Sequence, residues 1–137
     1  MKNRTAFYMA TALSAVLNAC GDSTPTDVIS VQAHVTGHVT DPAGAPVAGA
    51  AVRIQATQPS TGNVITEEST STGSDGAFAV TLGTVLVSPQ VANILITATP
   101  PAGAALAPRT TTGLSVAFSV QNPPTDTLRV ELSLQAQ

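Results

Sequence analysis

Apolar and polar residues alternate along most of this chain with the period of two that marks half-buried strands. Val35 and Val39 face one way, with Thr36 and His38 the other, inside a long strand predicted from Val28 to Thr40. Val52, Ile54 and Ala56 form a second run, and Phe78, Val80 and Leu82 a third. Ile94, Ile96 and Ala98 alternate with Leu95 and Thr97, and this strand stops at Pro100-Pro101. Leu114, Val116, Phe118 and Val120 are expected on one face, with Ser115, Ala117 and Ser119 on the other. The last alternation is the cleanest: Leu128, Val130, Leu132 and Leu134 oppose Thr127, Arg129, Glu131 and Ser133.

Turn chemistry separates these runs. Asp41-Pro42-Ala43-Gly44 combines a fixed φ with a residue free of Cβ strain, and Pro46-Val47-Ala48-Gly49 bends the chain again. Ser74-Asp75-Gly76 is a tight turn into Phe78, and Gln58 to Gly62 reads as a loop. Val64 to Thr72 is polar enough for a sheet edge, which Glu67 and Glu68 would protect from unwanted pairing. Val85 to Val91 is interrupted by Pro89, and Ala102 to Pro108 reads as a surface loop. About seven short strands with no helical pattern predict an all-β sandwich.

The segment from His34 to Leu82 carries a more particular signature. Gly37, Val39, Asp41, Gly44, Pro46, Val47, Gly49, Ala50 and Val52, followed by Asp75, Gly76 and Phe78, resemble the carboxypeptidase regulatory-like domain. That resemblance implies a seven-stranded, Greek-key, transthyretin/prealbumin-like β-sandwich. It also implies an accessory module, because the family domain has no peptidase activity of its own.

The first twenty residues have a different character. Lys2 and Arg4 precede an apolar stretch from Ala6 to Leu17, too short to span about 30 Å of hydrocarbon. Leu17-Asn18-Ala19-Cys20 reads as a lipobox, with signal cleavage between Ala19 and Cys20 and lipidation of Cys20. A single cysteine in an exported chain has no internal disulfide partner, and acylation turns a reactive thiol into an anchor. Each buried CH₂ adds about 0.8 kcal/mol, so more than one acyl chain, such as palmitate, on Cys20 would hold the protein stably to the membrane. Gly21 after the cysteine resembles the sorting pattern for the outer membrane of Gram-negative-type cell envelopes. The expected organisation is a signal peptide over residues 1–19, a lipidated tether over 20–27 and one β-sandwich domain over 28–137. Eight tether residues at about 3.5 Å each reach no further than roughly 30 Å.

Composition narrows the function classes. Beyond Cys20 there is no lysine, and Arg53, Arg109 and Arg129 stand against eight carboxylates. Nucleic-acid binding needs clustered positive charge, so it is excluded as an expectation. An intramolecular Lys–Asn isopeptide bond, as in pilin-type relatives of the sandwich, is excluded for want of lysine. No cofactor is implied.

Catalytic signatures are equally sparse. His34 and His38 share a strand face about 13 Å apart at 3.3 Å per residue, too far for one metal ion, so a solvated face is expected. Asp41 and Asp75 precede turn glycines and fit backbone hydrogen bonding better than calcium binding. Glu67 and Glu68 point to opposite faces, and no Gly-x-Ser-x-Gly elbow occurs. The sequence therefore predicts a non-enzymatic, membrane-anchored lipoprotein domain, serving as a protein-interaction or structural module of the envelope. A carbohydrate-binding module of the starch-binding-like fold is the alternative, although Phe78 and Phe118 are expected in the core rather than on a stacking platform. An uncharacterised hydrolase is the third reading. Partner contact is expected on Pro100 to Thr112 and Gln58 to Asn63, with Arg109 pairing an acidic group of an envelope protein.

Overall fold

The computed structural model describes residues 27–120 and 126–137. It is all-β, with nine strands and no helix among the described residues. These are β1 (Ile29–Thr40), β2 (Ala51–Thr57), β3 (Val64–Ser71), β4 (Ala77–Leu86), β5 (Gln90–Thr99), β6 (Leu106–Ala107), β7 (Arg109–Phe118), β8 (Thr127–Ser133) and β9 (Gln135–Ala136).

Seven of them build the sandwich. One sheet has the order β4-β1-β8 and the other β3-β2-β5-β7, while β6 and β9 form a separate two-stranded ribbon. The strand number is thus nine rather than seven, because Leu106–Ala107 pairs with Gln135–Ala136 inside the stretch expected to be loop. The other pairings in the two sheets are antiparallel, but β1 and β8 run parallel, with Gly37 opposite Val130.

The alternation decides what each sheet buries. Val31, Ala33, Val35 and Val39 of β1 meet Val52, Ile54 and Ala56 of β2 and Ile94, Ile96 and Ala98 of β5 across one interior. Phe78, Leu82, Phe118, Leu132 and Leu134 complete it, all nearly solvent-free. β-branched residues suit this pleated, half-buried role. Val120 departs from the expected pattern. β7 ends at Phe118, Ser119 bridges back to Gln32, and the chain then bends, leaving Val120 59% exposed.

Both predicted turns are held by side chains. Asp41 Oδ1 accepts hydrogen bonds from the backbone N–H of Ala43 and Ala45, and Asp75 Oδ1 accepts one from Ala77 N–H. Such Asx bonds satisfy donors that no strand reaches. Thr72, the one buried polar residue of the described core, donates from Oγ1 to the Val47 carbonyl at 2.6 Å and accepts from Ala50 N–H. It ties the Pro46–Gly49 bend to the end of β3, and both of its hydrogen-bonding roles are filled.

Candidate functional site

The outer surface of the four-stranded sheet carries the site, beside a break in the ladder. Between Ile94 and Ile96 of β5 the pairing with β7 shifts, so that Ile94 faces Leu114 while Ile96 faces Thr111. One residue of β5 there opposes Thr112 and Gly113, which is a β-bulge. Gly113 adopts φ +77°, a backbone conformation that a residue with Cβ enters only with strain. A pocket of about 390 Å³ lies beside the bulge.

Its lining is uncharged. Gln55 and Thr57 come from β2, Asn93 and Leu95 from β5, and Thr112, Leu114 and Ser115 from β7. Leucine side chains offer an apolar surface, while amides and hydroxyls supply both donors and acceptors around it. One wall is fixed by a charged pair just outside. Arg53 Nη2 donates to Glu67 Oε2 at 2.6 Å, and Gln55 Nε2 donates to the same oxygen at 3.0 Å. With its amide nitrogen committed, Gln55 has its carbonyl oxygen free of that bond.

The Arg53 guanidinium, through this hydrogen bond, holds the Glu67 carboxyl below the usual carboxylate range, and Gln55 acts in the same direction. Both charged groups are open to solvent, so the pair orients Gln55 more than it stabilises the fold. A carboxyl with a depressed folded-state pKa contributes stability above its unfolded value and loses it as the pH falls through the depressed one. Arg53→Gln should therefore move the Glu67 titration midpoint upward in an NMR pH series. An unchanged midpoint would mean that the guanidinium does not hold this carboxylate.

The residues singled out by the sequence lie elsewhere. His34 sits beside Thr81, with Nδ1 and Oγ1 2.9 Å apart, and His38 lies 3.3 Å from Glu131, both on β1. No group of three or more His, Cys, Asp or Glu comes together among the described residues. Arg109 is the first residue of β7 rather than part of a loop, and its Nη1 donates to the Ser133 carbonyl at 3.0 Å. The irregular stretch expected to run to Thr112 ends at Pro108, because Arg109, Thr110 and Thr111 pair with Ala98, Thr97 and Ile96. Ala19 and Cys20 lie outside the described residues. Sequence reasoning missed Gln55, Asn93, Leu95 and Ser115 as a set. The available signal was Gly113 standing within a β-forming run, the usual mark of a bulge.

A scan against protein-family models and a search of curated protein sequences each give no match for this chain. Solved structures do resemble it. Hydroxyquinol 1,2-dioxygenase from Pseudomonas putida DLL-E4 is 16% identical with a TM-score of 0.51, over 78% of this chain and 57% of that one. 3-Chlorocatechol 1,2-dioxygenase from Rhodococcus opacus 1CP is 12% identical with a TM-score of 0.51, over 77% and 60%. The dioxygenase domain of a dioxygenase carbohydrate-binding protein fusion from Streptomyces sp. SirexAA-E is 20% identical with a TM-score of 0.50, over 84% and 85%. The chain thus spans less than two thirds of the first two. At these identities the likeness establishes a shared fold.

This corrects the functional expectation. The envelope interaction or structural module, and its carbohydrate-binding alternative, give way to a sandwich of the kind found in hydroxyquinol and chlorocatechol dioxygenases. Iron-dependent oxygen chemistry commonly needs several converging ligands, such as two histidines and a carboxylate. His34 and His38, each beside a different polar neighbour on one strand, do not fit such a centre, and no oxygen-activating step is assigned to them. The resembled fold therefore supplies a frame, and the uncharged pocket at the bulge is one of the recesses it carries.

Proposed function

We propose that this chain is a dioxygenase-fold domain that binds a small, uncharged, hydroxylated ring in the pocket between β5 and β7. The observation that carries this reading is the lining: Leu95 and Leu114 beside the amides of Gln55 and Asn93 and the hydroxyls of Thr57, Thr112 and Ser115, with no charged group. A volume of about 390 Å³ lies within the range of small-molecule pockets, which combine apolar walls with a few placed polar groups. The fold's likeness to proteins named for hydroxyquinol and chlorocatechol supports the ligand class. Calorimetric titration with catechol and hydroxyquinol should give saturable binding to the wild type. Asn93→Ala should weaken it several-fold, the effect of losing one hydrogen bond worth about 1 kcal/mol at a solvent-exposed position. Equal affinity in the variant, or preference for a maltooligosaccharide, would remove the pocket from this role.

Location is a separate part of the proposal. The Leu17-Asn18-Ala19-Cys20 sequence supports export and lipid anchoring through Cys20, in an envelope membrane of the outer-membrane type. Wild type should enter the detergent phase on Triton X-114 partition and Cys20→Ala should not. Aqueous partition of both forms would remove the anchor.

A further inference from the structure

We infer that one end of the sandwich is a lipid-facing surface, formed by Val28, Val64, Val85, Val87, Val91 and Val120. These six are the large apolar side chains left exposed among the described residues, each more than half accessible. Scattered valines would be unremarkable. Here, however, the pairing brings all six to one end of the sandwich, with Val85 on the outer face of the three-stranded sheet and Val91 on that of the four-stranded one.

Ile29 pairs with Leu86 and Ser30 with Val85, so the start of β1 meets the end of β4, and Val28 and Val87 each adjoin the Ile29–Leu86 pair. Only Ser88 and Pro89 separate Val87 from the start of β5, where Gln90 pairs with Phe118 and Val91 with Ala117. Thr57, at the end of β2, pairs with both Val64 and Asn93, which brings the start of β3 to the same end. A recess there is lined jointly by Val64, Val85 and Val87. Val120 follows the Ser119 bridge to Gln32 and completes the set.

Charge is distributed the opposite way. The Arg53–Glu67 pair, Glu68, Arg109, His38 and Glu131, and the Asp41 and Asp75 turns belong to the middle or far end of the strands. At the valine end the described residues include Asp27. Asp126 stands beside that end, its Oδ2 accepting a hydrogen bond from the N–H of Ala117, the partner of Val91. An end that gathers apolar side chains, with Asp27 and Asp126 as its charged groups among the described residues, suits the boundary between headgroups and acyl chains. It carries no basic cluster that would select anionic lipid.

The chain itself says what covers this surface. Val28 stands at that end, and residues 21–27 lead from it back to Cys20. A seven-residue tether reaches at most about 25 Å, so an acylated Cys20 would hold this end, rather than the Asp41 and Asp75 turns, against the bilayer. The inference rests on the anchoring reading, and the two separate experimentally.

The chain contains no tryptophan, so one introduced indole is a unique probe. Ser88→Trp marks the valine end and Ala43→Trp the opposite one, both at exposed positions. The lipidated full-length product, reconstituted in phosphatidylcholine vesicles, would be titrated with acyl-brominated phosphatidylcholine. Quenching is expected at Ser88→Trp, absent at Ala43→Trp, and lost when Val85→Ser and Val87→Ser are added to Ser88→Trp. Sedimentation with vesicles reports the anchor independently. Protein that sediments without quenching at Ser88→Trp overturns the surface and leaves the anchor standing. Protein that stays in the supernatant overturns both. A blue-shifted indole at Ser88→Trp that brominated lipid does not quench would assign the end to a second protein chain, and would overturn the lipid assignment.

Discussion

Replacing Phe118 by alanine should destabilise the domain by about 3–5 kcal/mol, a large part of the 5–15 kcal/mol that holds a typical domain folded. Phe118 is 1% exposed and ends β7 opposite Gln90, with its ring in the interior shared by both sheets. Truncation removes the transfer free energy of the ring and leaves a cavity. The surrounding side chains, many of them short β-branched or alanine residues, cannot readily reach across to fill it. Val120→Ala, two residues on and exposed, should be nearly neutral. Urea denaturation would measure both, and equal midpoints would contradict the assigned facing of β7.

Gly37→Ala should cost about 3 kcal/mol or more, although it adds a single methyl group. Gly37 lies in the central strand of its sheet, opposite Phe78 on one side and Val130 on the other. A Cβ there would collide with the Val130 carbonyl oxygen and come within 2.8 Å of Phe78 Cζ. Relief requires movement of β8 backbone as well as a core ring, and a close-packed interior resists both. Gly83 provides the contrast. It lies in β4 opposite Gln32, where a Cβ would meet nothing within 4 Å. Gly83→Ala should be neutral or slightly stabilising, by restricting the unfolded chain. A similar melting temperature for the two variants would show that β1 and β8 are not packed this closely.

These two positions also mark where the sequence was informative. Phe118 belongs to an apolar/polar alternation, a local signal that reports burial directly, as it does for Val52, Ile54 and Ala56 or for Val130 and Leu132. Gly37 does not. Its need for a bare Cα arises from β8, whose partner Val130 lies far along the chain, and parallel pairing at that separation leaves no local periodicity. The same reason hid the ribbon of Leu106–Ala107 with Gln135–Ala136, each partner being only two residues long. The pocket was obscured differently. Gln55, Asn93 and Ser115 look like ordinary solvent-facing positions of three strands, and the recess on their shared face lies beside the bulge at Gly113. Asp41 and Asp75, by contrast, were legible as turn residues because their hydrogen bonds are to backbone within four residues.

Ligand binding at that recess is tested most directly by NMR titration of isotope-labelled protein with catechol. Binding between β5 and β7 predicts saturable shifts in the side-chain amides of Gln55 and Asn93, in the Leu95 and Leu114 methyl groups, and in the Gly113 backbone amide. The His34 and His38 rings, on the outer face of the other sheet, should not move. Shifts centred on those histidines, or none at Gln55 and Asn93 at saturating catechol, would contradict the assignment of the site.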